Sequence, residues 1–178
     1  MLCKCNDFDQ LELFKKVADS IKIVVYLRRQ DLFFESCFMQ VVKNGGANGS
    51  FDAYLEDRMQ ISKDYYNLVN KWASLFGKEN IIVRPYEKRQ FIGGSIFSDF
   101  MNVLGHDLDD EYIFPDSLTN PTLCRDCFNF QLKCNALPLH RQDKTYIGQA
   151  LKRYSGKFHR NGGWRDIIPP ARKIEIIE

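Results

Sequence analysis

The strongest constraint on this chain is a change of hydrophobic period within residues 21–43, IKIVVYLRRQDLFFESCFMQVVK. Ile21 to Leu27 is apolar and β-branched, broken only by Lys22 and Tyr26, with no Gly or Pro, and this predicts a buried strand. Arg28 and Arg29 stand where that strand should end. Beyond them Leu32, Phe33, Cys37, Gln40 and Val41, with Phe34, Phe38 and Val42 beside them, recur at helical spacing, so a helix starts near Gln30 or Asp31. In an open parallel sheet, ligands sit at the C-terminal edge of the strands. A guanidinium at that edge and Ser36, eight residues after Arg28 on the first turns of the helix, together suit a phosphate: charge and a planar donor fork from one, a neutral donor from the other. The plainer alternative is an Arg28 salt bridge to an acidic neighbour and a serine on a helix face.

Taken in order, residues 7–19 read as an amphipathic helix capped by Asn6 or Asp7, with Phe8, Leu11, Leu13, Phe14 and Val17 inward. After the helix of 31–43, Asn44 to Gly49 is too rich in Gly and Asn to be an element. Ser50 starts a short helix with Phe51, Tyr54 and Leu55 apolar. Ser62 is the expected cap of a longer one, whose Tyr65, Leu68, Trp72 and Leu75 or Phe76 form an inward stripe closed by Gly77. Residues 80–84, NIIVR, predict a second strand, followed by Pro85-Tyr86-Glu87, a loop through Gly93-Gly94 and a helix over 95–104 stopped by Gly105. Tyr86 and Glu87 read as structural, a buried hydroxyl and a carboxylate anchoring the strand end. Further helices are expected over 121–136, with Leu123, Cys127, Phe128, Phe130 and Leu132 apolar, and over 143–154, with Tyr146, Ile147, Leu151 and Tyr154 on one face. Pro169-Pro170 opens a last helix whose pattern is still running at Glu178.

With 178 residues, 44% of them hydrophobic, the chain can bury a core as one domain, and a net charge of +2 gives no global nucleic-acid signature. The charge is uneven. Residues 107–116 hold five acidic residues and no basic one, whereas 141–166 hold seven Lys or Arg (Arg141, Lys144, Lys152, Arg153, Lys157, Arg160, Arg165) against Asp143 and Asp166. Such a basic segment either faces an anionic donor or substrate or is a solvated helix face. No apolar run approaches the ~20 residues of a membrane span, and the N-terminus lacks the layout of a signal peptide, so a cytoplasmic location is expected. Cys124-Arg-Asp-Cys127 has the spacing of a metal or redox pair, and Cys3-Lys-Cys5 is a poor complement to it. Reduced, partly buried thiols are expected, with no metal.

The segment VVYLRRQDLFFES resembles the 3′-phosphate-binding segment of sulfotransferases that use PAPS (3′-phosphoadenosine 5′-phosphosulfate), a strand ending in Arg with a Ser eight residues later. It is most similar to bacterial carbohydrate sulfotransferase-like proteins of polysaccharide gene clusters. VRPYEKRQFIGGSIFSDFMNVLGHD resembles the family as well, in a strand ending in Tyr-Glu and a helix ending in Leu-Gly, so the likeness covers roughly residues 20–107. KFHRNGGWRD, residues 157–166, loosely resembles the loop that closes over the same phosphate, with Arg160, Gly162, Gly163, Trp164 and Arg165 supplying amides, cations and an aromatic at a shorter spacing. The resemblance implies an α/β, P-loop-type three-layer fold, helix-rich with a short parallel sheet. It also implies PAPS as sulfate donor, a carbohydrate or polysaccharide acceptor, and Arg28, Ser36, Arg160 and Gly162 as donor-binding residues.

The same resemblance exposes a gap. No Gly matches G-x-x-x-x-G-K-[ST] or a looser Gly-Thr-Thr form that would cradle the 5′-phosphosulfate. Residues 1–178 are therefore expected to form one partial domain that begins after the first βα unit and is weak or inactive alone. The catalytic residues stay unassigned, since none of His106, His140 and His159 is fixed by its context as a base. A non-enzymatic helical interaction module is the alternative reading. A glycosyltransferase, from Asp107-Leu-Asp109, ranks below both because that motif falls in a loop.

Overall fold

The change of period is real: the chain switches from strand to helix across Arg28 and Arg29. A computed structural model describes residues 16–47, 49–62, 64–109, 111–113 and 122–158. In chain order the elements are β1 (Ile23–Leu27), α1 (Gln30–Lys43), α2 (Phe51–Ser62), α3 (Tyr65–Phe76), β2 (Ile81–Pro85), α4 (Ile96–Leu104), α5 (Arg125–Ala136) and α6 (Arg141–Phe158), with short 3₁₀ turns on either side of β2. The described residues are thus helix-rich with a short parallel sheet, as an α/β reading requires. None of the described helices is long and apolar enough to cross a membrane.

The chain divides into two compact units, residues 1–27 with 64–86, and residues 28–63 with 87–178. In the first, β1 and β2 pair in parallel with Ile23 opposite Ile81 and Leu27 opposite Pro85. The Tyr86 amide extends the ladder by donating to the Leu27 carbonyl at 2.8 Å. Pro85 is tolerated because it is the last residue of its strand, where a missing N–H costs least. α3 packs on both strands, with Trp72 stacked on Phe76 at 5.9 Å between ring centroids. Its cap is Asp64, whose carboxylate accepts from the Asn67 amide at 2.8 Å, whereas the expected cap, Ser62, is the last residue of α2. A carboxylate is at least as good an N-cap as a hydroxyl, so α2 runs on through Ser62. One inward expectation fails here, since Val17 is 81% exposed, while Tyr86 is half-exposed. The rest of the helix expected over 7–19, residues 7–15, lies outside the described residues.

The second unit is built on α1. Its buried stripe (Asp31, Phe34, Glu35, Phe38, Val42) follows 3.6-residue spacing. Phe38 and Val42 form a core with Leu123, Cys124, Cys127 and Phe128 from the start of α5, and Phe34 forms a second cluster with Leu55 of α2. Phe38 lies at the centre of ring contacts to Phe51, Tyr54 and Phe128, 5.2 to 5.8 Å away. α1 closes in a Schellman arrangement, Gly45 N–H to Val42 O at 3.0 Å and Gly46 N–H to Val41 O at 2.9 Å. Gly45 occupies the left-handed position this requires, φ +76°.

The later helices depart from expectation in their faces. α5 starts at Arg125, not 121, and Phe130 points to solvent while Gln131 and Asn135 are buried. α6 is longer than 143–154, and its inward face carries Ile147, Gly148, Leu151 and Ser155 in place of Tyr146 and Tyr154, which are exposed. Gly148 marks the closest approach of this face. A Cβ there would lie 3.4 Å from Gln131 Oε1 and 3.5 Å from the Lys43 carbonyl, at the near edge of ordinary van der Waals contact, so the face has room for a small residue and none for a branched or longer one.

Candidate functional site

Of the four donor-binding residues expected from sequence, the described structure contains two. Arg28 follows directly on the last residue of β1, is half-buried, and precedes Arg29, the N-terminal cap residue of α1. Ser36 is half-buried in the second turn of α1, on the face turned away from the buried stripe. Its hydroxyl forms no hydrogen bond among the described residues. About 10 Å of axial rise separates Ser36 from the cap. Arg160 and Gly162, with the rest of 159–178, lie outside the described residues.

The neighbouring Arg29 is tied to a carboxylate of its own helix. The Arg29 guanidinium makes a two-pronged contact with Asp31, Nε to Oδ1 at 2.7 Å and the second nitrogen to Oδ2 at 2.9 Å. Asp31 is fully buried, and its carboxylate lies in the first turn of α1, where the helix dipole favours negative charge. The Asp31 hydrogen bonds raise Arg29 above its ordinary value, and the charges of Asp31 and Glu87 add to this. Glu87 is exposed and accepts from Gln90 Nε2 at 2.5 Å, tying down the turn after β2. That is a structural role just beyond the strand end.

The thiol pair sits where its spacing suggests. Cys124 is the N-cap residue of α5, with Cys127 one turn on, both buried and reduced. Ser155 of α6 accepts from the Cys124 amide at 3.1 Å. Burial pushes the Cys124 thiol up, but the Cys127 amide, the Ser155 hydroxyl and the Cys127 thiol together outweigh it and leave Cys124 below its ordinary value. Burial leads in raising Cys127. No group of three or more potential metal ligands occurs among the described residues. Cys3 and Cys5 lie outside them. Asp107 and Asp109 are exposed, and Asp109 caps its own loop by accepting from the Glu111 amide.

Sequence reasoning missed two features of the second unit. One is a buried polar lock: Asn135 donates to the carbonyls of Val42 (2.9 Å) and Ala47 (2.8 Å) and accepts from Gln131 Nε2 (2.8 Å). The other is a pocket of about 680 Å³ beside the C-terminus of α1 and the first three turns of α6. Its walls include Lys43, Arg141, Lys144, Thr145, Gln149 and Lys152. The basic run from Arg141 to Lys152 signalled one wall, while nothing local marked Lys43 as the other.

No family model matches the chain, and no solved structure matches it. A stretch of 89 residues is 38% identical to a protein of Archaeoglobus fulgidus described as uncharacterized. The match takes in 50% of this chain and 23% of that protein, so the chain spans about a quarter of the length of the relative it matches.

Proposed function

We propose that this chain contributes the 3′-phosphate-binding half of a PAPS-dependent, P-loop-type sulfotransferase fold that sulfates a carbohydrate hydroxyl when the fold is complete. The observation that carries the reading is the placement of Arg28 and Ser36. One follows the last residue of a parallel strand, and the other lies half-buried on the next helix, away from its buried stripe, with its hydroxyl unengaged among the described residues. A guanidinium and a hydroxyl so placed offer a phosphate monoester both a charged fork and a neutral donor. In the complete enzyme a sugar hydroxyl would attack sulfur in line, the bond from sulfur to the bridging phosphate oxygen would break, and adenosine 3′,5′-bisphosphate would leave. The cradle for the 5′-phosphosulfate is no part of the motifs on this chain, so the reading assigns it binding and not catalysis.

Calorimetric titration with adenosine 3′,5′-bisphosphate tests this. Arg28→Ala should lower affinity tenfold or more, about 1.5–3 kcal/mol for a charge-assisted contact. Ser36→Ala should lower it severalfold. Unchanged affinity in Arg28→Ala would end the proposal.

A second reading, a non-enzymatic interaction module, has one observation in its favour. Phe97, Phe100 and Leu104 are spaced to share a face of α4, and each is at least two-fifths exposed. Failure of the nucleotide to bind, together with self-association or partner capture abolished by Phe100→Asp, would favour it.

A further inference from the structure

The pocket beside α1 and α6 is lined by four cationic side chains, Lys43, Arg141, Lys144 and Lys152, and no carboxylate from the described residues joins them. Asp143, on the same helix, is exposed and forms none of its walls. The pocket lining is thus of one charge sign. Lys43 is only 8% exposed, and its ammonium is pushed below its ordinary value first by burial and then by the charge of Lys152. Like charges brought together at a half-buried wall are relieved by a counter-charge between them. Lys144 is oriented by donating one of its three N–H groups to the Asn135 carbonyl at 3.0 Å. Thr145 and Gln149 add a hydroxyl and an amide to the same lining. The pocket also takes in the N-terminal turns of α6, an 18-residue helix whose dipole presents its positive end there. Its volume lies within the roughly 300–1,000 Å³ of small-molecule sites, more than one tetrahedral oxyanion needs.

We propose that this pocket binds a small molecule carrying at least two phosphoryl or sulfuryl groups. Lys43 at the end of α1 and Lys152 in the body of α6, near enough for their charges to interact, face one group, while Arg141 and Lys144 near the start of α6 face the other. The site does not depend on the Arg28/Ser36 reading. It lies at the far end of α1, about 20 Å of helix from the cap, too far for one phosphate to touch both.

The test is calorimetric titration of the full chain at low salt with inorganic pyrophosphate and, in parallel, with a disulfated disaccharide. Whichever source fits should bind at least tenfold more tightly than inorganic phosphate or sulfate. Arg141→Gln with Lys152→Gln should weaken it tenfold or more. Gln149→Glu, an exposed change that adds a negative charge to the lining and removes nothing, should weaken it severalfold. Arg28→Ala should leave it within twofold. Adenosine 3′,5′-bisphosphate carries two phosphates and separates the two proposals: loss in Arg28→Ala places it at the α1 cap, loss in Arg141→Gln/Lys152→Gln places it in the pocket. Absence of binding by both probes, or affinity unmoved by both pocket variants, would overturn the inference.

Discussion

Asn135→Ala is the substitution from which most should follow. The Asn135 side chain makes three buried or part-buried hydrogen bonds, two donated to the carbonyls of Val42 and Ala47 and one accepted from Gln131. Each is worth about 1 kcal/mol net, and a buried group left without its partner costs a further 1–3 kcal/mol. Val42 O keeps the Gly45 amide, and the turn carrying Ala47 is open enough for water to replace the lost donor. Gln131 has neither recourse. It is fully buried, its Oε1 already lacks a partner among the described residues, and truncation strands its amide nitrogen as well. The sum is about 3–5 kcal/mol, or a melting temperature roughly 6–20 °C lower for a chain of this size. Urea unfolding followed by far-UV circular dichroism measures it, and amide exchange at Asn44–Gly46 should accelerate in step because their turn loses its tie to α5. The double change Gln131→Leu/Asn135→Leu should lose less than Asn135→Leu alone, since removing both polar partners strands no donor between them. A loss under about 1 kcal/mol for Asn135→Ala, with an unchanged urea slope, would mean that water takes over the amide's role, and the argument would fail.

Gly148→Ala should fall within about 1 kcal/mol of the parent, helix propensity offsetting a contact at 3.4 Å, whereas Gly148→Ile should cost 2 kcal/mol or more by forcing α6 away from Gln131 and Lys43; thermal melts decide. Gly45→Ala should cost about 1 kcal/mol through its positive φ alone, because a Cβ there meets nothing closer than 3.8 Å. For the thiol pair, the depressed value of Cys124 means stability should rise with pH from that value up to the ordinary 9.0, and the raised value of Cys127 means it should fall again above 9.0. In urea midpoints against pH, Cys124→Ser/Cys127→Ser should flatten both the rise and the fall, because the two thiols titrate as a pair; an unaltered profile in that variant would refute the assignment.

How far the sequence was legible depended on how local the deciding physics was. β1 and α1 could be read because a β-branched run giving way to 3.6-residue spacing needs no tertiary context, and α4 because Ser95 and Gly105 punctuate it. Ser62 and Asp64 are both good caps two residues apart, and propensity alone does not choose between them. The faces of α5 and α6 were misread for a different reason. Aromatic spacing suggested that Tyr146 and Tyr154 point inward, but α6 docks through Gly148 onto a polar surface held by Asn135, a residue bonded to a carbonyl 93 positions away. An apolar-stripe rule cannot find a buried face made of Gln131, Asn135, Gly148 and Ser155. Arg28 and Ser36 were readable as a pair on one strand–helix segment, while Lys43 became a pocket residue only through helices a hundred residues later in the chain.

The polar lock also bears on what the second unit can bind. Asn135 fixes the turn after Val42, and that turn brings Asn44 and Gly45 to the pocket wall beside Lys43. The Asn135 carbonyl orients Lys144 on the opposite side. One residue of α5 thus sets the spacing between the cation at the end of α1 and the cations of α6. Breaking the lock should therefore weaken pyrophosphate by more than any global loss of fold explains, while leaving the Arg28 end of α1 unaffected so long as the helix is folded. Mass action gives the matching sign: a ligand bound only by the folded chain raises its melting temperature in proportion to ln(1 + [L]/Kd). Pyrophosphate should therefore stabilise the parent more than Asn135→Ala at equal concentration. Equal stabilisation of the two would show that the pocket keeps its shape without Asn135, and that the buried amide serves stability alone.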